Sequence, residues 1–129
     1  MAETKLAWLV DDDEEMASAI ALMLKLLGYQ ARGFLDAPSA AQALLAGQPC
    51  DLILLDLNMP QVSGKDFLEF VRQRAEFARL PVVMLTSEFN EIIMDELLRA
   101  GADGYVTKPV SLAELEQAVA DALQARRAE

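Results

Sequence analysis

The chain has 129 residues, 53% of them apolar, which fits one domain with a single core and excludes a largely disordered chain. Its net charge of −10 disfavours nucleic-acid binding, and the absence of histidine excludes a Ser-His-Asp triad and any histidine-ligated metal. A metal here must be held by oxygen alone, which suits a hard cation such as magnesium.

The lone Cys50 allows no internal disulfide and fits a reducing, cytoplasmic location. Met1 to Lys5 do not read as a signal peptide. Leu6 to Val10 are a short apolar run, a first buried strand, followed at once by Asp11-Asp12-Asp13-Glu14-Glu15. Acids at the N-cap and in the first turn favour a helix, and Met16, Ala17, Ile20, Met23, Leu24 and Leu27 keep helical spacing until Gly28. That stretch is broken by Lys25 and does not read as a membrane span. Tyr29 to Phe34 reads as a weaker second strand interrupted by Gly33, and Pro38-Ser39 opens a helix running to Gly47.

Leu52-Ile53-Leu54-Leu55 then reads as a strand buried on both faces, ending on Asp56. Pro60 stops further pairing, Ser63-Gly64 supply a turn, and Phe67, Phe70 and Val71 lie on one face of the next helix. Pro81 to Leu85 is a fourth strand ending at Thr86-Ser87-Glu88, followed by a helix from about Asn90 to Ala100. Asp103 to Val106 is a short fifth strand ending at Thr107-Lys108-Pro109, and Ser111 caps a last amphipathic helix. Strands alternating with helices of about a dozen residues imply right-handed βαβ units and a parallel sheet. No linker, repeat or output domain interrupts positions 1–129, which read as one domain.

In such a sheet the carboxyl ends of strands one, three, four and five face one crevice. They bring Asp11 and Asp12, Asp56, Thr86 and Lys108 together. Three carboxylates a few ångströms apart repel by on the order of 4 kcal/mol per pair at an effective dielectric near 20. A divalent cation removes that repulsion, Lys108 adds a fixed positive charge and Thr86 a hydroxyl donor. A cation, an ammonium and a hydroxyl around a carboxylate suit phosphoryl transfer onto that carboxylate.

Val10-Asp11-Asp12, Leu55-Asp56-Leu57-Asn58-Met59-Pro60 with Gly64, Thr86-Ser87, and Tyr105-Val106-Thr107-Lys108-Pro109 resemble, in order and spacing, the receiver domains of two-component response regulators. The resemblance implies a flavodoxin-like α/β fold, a doubly wound five-stranded sheet in the order 2-1-3-4-5. It implies Asp56 as phosphoacceptor from a histidine kinase or phosphotransfer protein. Asp12, Asp56 and the Asn58 carbonyl would ligate magnesium or manganese, with Asp11 acting through water. Lys108 would pair with the phosphoryl group, Thr86 would report it, and Tyr105 would swing from outside to inside. Asn58 and Glu88 would tune the phosphoryl lifetime, and a cis Lys108–Pro109 bond would aim Lys108 into the crevice. Readout would lie on the last two helices and the fifth strand, including Glu91, Asp95, Tyr105 and Glu114, a surface that could also pair two copies. Such a protein is no enzyme beyond its own phosphorylation and dephosphorylation. Asp13 adds a third acid that reads first as a helix cap.

Three alternatives stand beside this: a receiver portion of a hybrid kinase or larger regulator, a receiver that works without phosphorylation, and an aspartyl-phosphate phosphatase of the haloacid-dehalogenase type. The last usually has an acid two residues after its nucleophile, where this chain has Asn58. No Gly-x-Gly-x-x-Gly turn or P-loop follows any strand, so a nucleotide enzyme is disfavoured.

Overall fold

β3 (Leu52–Asp56) and β4 (Val82–Thr86) are buried at every position, as runs without a polar alternation require of central parallel strands. The computed structural model, which describes residues 5–59, 61–88 and 90–127, places them inside one parallel sheet in the order β2-β1-β3-β4-β5. β1 (Lys5–Val10) pairs β3 with Ala7 opposite Leu52 and Val10 opposite Leu55. β2 (Tyr29–Phe34) and β5 (Gly104–Thr107) are the edges.

Alternate strand residues feed two core layers. Trp8, Val10, Ile53, Leu55, Val82 and Met84 pack with α2 (Ala37–Leu45), α3 (Gly64–Gln73) and α4 (Glu91–Arg99). Ala7, Leu9, Leu52, Leu54, Val83 and Leu85 pack with α1 (Glu14–Leu26) and α5 (Leu112–Arg127). The chain thus reverses winding direction between β1 and β3, the position at which open α/β sheets bind ligands.

Four helix starts are capped by their own sequence. Asp13, Asp36, Ser63 and Asn90 accept from main-chain N–H groups of α1, α2, α3 and α4, and Ser63 forms a reciprocal box with Asp66. Ser111 accepts from the Glu114 N–H and donates to its carboxylate at the start of α5.

Three sequence expectations need adjustment. Gly33 does not interrupt β2, because its main chain stays in register opposite Leu9 and needs no side chain to pair. The second helix begins at Ala37, where Asp36 caps it and Pro38 occupies its first turn, and it ends at Leu45 rather than Gly47. Ser63-Gly64 are the cap and first residue of α3 rather than a free turn. Pro60 lies outside the described residues.

Candidate functional site

Each candidate side chain is delivered by the end of a strand. Asp11 follows β1 directly, and its N–H donates to the Phe34 carbonyl at 3.0 Å, so it is held as a continuation of the sheet. Asp56 is the last residue of β3, fixed from the far side by the Leu57 N–H on the Leu85 carbonyl at 2.9 Å. Lys108 follows β5, and its N–H donates to the Thr86 carbonyl at 2.7 Å. The Lys108–Pro109 peptide is cis. Its ammonium reaches Asp11 Oδ2 at 3.0 Å and Asp56 Oδ1 at 3.3 Å.

Asp11 is fully buried and Asp56 is 5% exposed, while Asp12 is open to solvent. One carboxylate oxygen from each of the three lies within 4.8 Å of the others. The second Asp11 oxygen is engaged by the Asp13 N–H at 3.0 Å. Two carboxylates this deeply buried beside one ammonium leave an unbalanced negative charge at the crevice mouth. An all-oxygen donor set with that imbalance, the Asp11, Asp12 and Asp56 carboxylates, fits a hard divalent cation.

Burial raises the Asp56 carboxyl from 3.8 to about 6, and the Asp11 charge adds to this, whereas Lys108 and the Asn58 N–H pull it back. Burial pulls Lys108 downward, yet its hydrogen bond to Asp11 and the two carboxylate charges outweigh this and leave it above its usual value. Because the folded Asp56 binds its proton more tightly than the unfolded chain does, its contribution is intact below about pH 4 and is lost as pH rises through about 6. With chelator present, Asp56→Asn should therefore be more stable than wild type by roughly 1–2 kcal/mol at pH 8, after discounting for water at the crevice mouth, and nearly equal at pH 4. Urea unfolding at the two pH values measures this; a difference independent of pH contradicts it.

Thr86 is fully buried, and its hydroxyl accepts from the Glu88 N–H and donates to the Glu88 carbonyl, both at 3.1 Å. It is therefore beside the crevice but engaged with its own loop. Asn58 and Glu88 are both exposed on loops at the crevice. Tyr105 is 37% exposed on edge strand β5, with its ring outside the core. Asp13 caps α1, as the simpler reading of the acid run had it.

Gly64 supports the site in a way that its reading as a turn missed. A Cβ there would lie 2.2 Å from the Asp56 carbonyl oxygen and 2.8 Å from the Leu57 Cα. Its N–H donates to the Leu57 carbonyl at 2.9 Å, so the start of α3 presses directly on the main chain that carries Asp56. The available signal was a glycine directly after a helix-capping serine, eight residues beyond a strand-end acid.

Residues 7–120 match the family model described as "Response regulator receiver domain". The chain belongs to the response regulator receiver family. This receiver domain is 40% identical over 108 residues to the sensory transduction protein RegX3 of Mycobacterium tuberculosis, covering 83% of this chain and 45% of that protein. It is 33% identical over 123 residues to the response regulator protein PilR of Pseudomonas aeruginosa, covering 95% of this chain and 27% of that protein. The receiver domain thus spans less than half the length of these curated relatives. Its fold is similar to the chemotaxis protein CheY4 of Vibrio cholerae, with a TM-score of 0.84 at 27% identity over 94% of this chain and 100% of the other. The flavodoxin-like sheet order that the resemblance implies is the order found. No described helix is long and apolar enough to cross a membrane.

Proposed function

We propose that this receiver domain is a phosphorylatable switch of a two-component relay, working in the cytoplasm, with Asp56 as phosphoacceptor. The observation that carries the reading is the Lys108 ammonium joined to both buried carboxylates at 3.0 and 3.3 Å, with Asp12 alongside at the open mouth. An Asp56 oxygen attacks the phosphorus of a phosphohistidine on a histidine kinase or phosphotransfer protein. The P–N bond breaks as the P–O bond forms, and the imidazole leaves with the electron pair. Lys108 then meets a phosphoryl oxygen, and its fixed charge offsets the negative charge gathered on Asp56. Asp12, Asp56 and the Asn58 carbonyl, with Asp11 acting through water, would hold magnesium or manganese, which would supply further charge neutralisation. Hydrolysis of the acyl phosphate resets the switch, and the exposed side chains of Asn58 and Glu88 tune its rate. The same chemistry applies if the chain is a portion of a hybrid kinase or a larger regulator.

The phosphoryl group adds about 1.5 to 2 negative charges and three acceptor oxygens. One of these competes with the Glu88 carbonyl for the Thr86 hydroxyl, which turns inward and draws the loop after β4 with it. That movement opens room beside β5 for the Tyr105 ring. A charged hydrogen bond of about 1.5–3 kcal/mol raises an active state of a few per cent to a majority. The face of α4, β5 and α5 then presents its altered surface to a downstream protein or a second copy.

Amide spectra recorded with magnesium and beryllofluoride, a phosphoryl mimic, test the relay. Wild type should shift at Thr86, Tyr105 and along α4, and Thr86→Ala should shift only around Asp56. Equal long-range shifts in the two proteins would refute Thr86 as the relay.

A further inference from the structure

The groove that runs over β5 between α4 and α5 has about 480 Å³ of space. Leu98, Tyr105 and Ala118 form its apolar part, and Glu114 and Asp121 edge it along α5. Glu91 and Asp95 lie seven and three residues before Leu98, so they continue the same side of α4. Among the described exposed side chains of these two flanks the one cation is Arg99, and it is paired with Asp95 at 3.1 Å. The guanidiniums near the foot of the groove, Arg72 and Arg126, turn inward onto Asp103 and main-chain carbonyls, with side chains 13% and 14% exposed. The rim is therefore four carboxylates, Glu91, Asp95, Glu114 and Asp121, against one neutralised cation.

We infer that this groove docks a positively charged segment of another protein, with one apolar side chain inserted beside Tyr105 and Leu98 and flanking lysines or arginines on the carboxylate rim. Charge complementarity chooses this occupant. A two-fold pairing of the same face would bring rim against rim, with only Arg99 to offset the acids, and each copy carries a net charge of −10. Nucleic acid and anionic membrane surfaces are repelled for the same reason. The inference rests on the switch reading in taking this face as the one that meets partners, and it replaces a second copy by a basic partner as its occupant.

The test uses two fluorescein-labelled amphipathic peptides with the same leucine anchor, one with lysine flanks and one with glutamate flanks, titrated with the full chain and followed by anisotropy. The lysine peptide should bind at least tenfold more tightly than the glutamate peptide. Glu91→Lys with Asp121→Lys should abolish that binding, and the neutral pair Glu91→Gln with Asp121→Asn should weaken it. Glu69→Lys with Glu76→Lys, the same charge change placed on α3 and the turn after it, should leave most of it. Equal loss in the two reversed pairs means general attraction to an acidic protein and overturns the inference, as does equal binding of the two peptides. Sedimentation showing a concentration-dependent dimer that Tyr105→Ala abolishes also overturns it. Acetyl phosphate labelling of Asp56 is read separately on the same samples: its failure removes the switch, whereas the peptide results decide the groove.

Discussion

Asp103→Ala should lower stability by about 3–5 kcal/mol, with the thermal midpoint falling by roughly 10–20 °C. The Asp103 carboxylate side chain is 2% exposed and takes three donors: Arg72 Nη2 at 2.9 Å, Arg126 Nε at 2.6 Å and the Val82 N–H at 2.9 Å. Arg72 also donates to the carbonyls of Gly101, Phe77 and Leu80, and Arg126 to those of Ala78 and Gly101. The cluster ties α3, the start of β4 and the end of α5 together at the end of the sheet opposite Asp56. Removing the carboxylate strips two nearly buried guanidiniums of this counter-charge and leaves the Val82 N–H unpaired. Asp103→Asn keeps an acceptor and should lose markedly less. Thermal unfolding checks both, and a midpoint for Asp103→Ala within a few degrees of wild type would contradict the assignment. Below its midpoint the variant should still label at Asp56, because the cluster touches none of the site residues.

Gly64→Ala is the second large effect, and it falls on function as well as stability. The atoms that a Cβ would strike are the Asp56 carbonyl oxygen at 2.2 Å, the Leu57 Cα at 2.8 Å and the Asp56 carbonyl carbon at 3.0 Å. All are main chain at the end of the central strand, so no side chain can rotate away. The start of α3 must lift, and it is bonded to Leu57. Overpacking of this kind costs about 1–3 kcal/mol. The more telling result is kinetic: the rate of Asp56 labelling should fall at least tenfold, since a sub-ångström displacement of a nucleophile is enough to disturb an in-line geometry. Labelling at the wild-type rate would show that Gly64 only completes a turn.

The convergence of the candidate residues was legible because most of them share one local signature, a polar group directly after an apolar run. Asp11, Asp56 and Thr86 each stand at such a boundary and Lys108 follows one a residue later, after Thr107, and a parallel sheet brings these boundaries to one side. The helices were legible through spacing and capping, as Asp13, Asn90 and Ser111 illustrate. The Asp103 cluster gave no such signal. Asp103 stands before Gly104 like any turn acid, and its partners lie 31 and 23 residues away, so only the tertiary fold brings them together. β2 was half legible, because a glycine weakens a strand's side-chain pattern without preventing main-chain pairing. The engagement of Thr86 with Glu88 was likewise invisible, since a hydroxyl's partner depends on how its loop closes.

The claim that Asp56 accepts the phosphoryl group is met most directly by intact-mass analysis after incubation with acetyl phosphate and magnesium. Wild type should gain the mass of one phosphoryl group, and the gain should disappear in Asp56→Asn and when EDTA replaces magnesium. Full labelling of Asp56→Asn, or labelling of wild type that is indifferent to EDTA, would contradict the account.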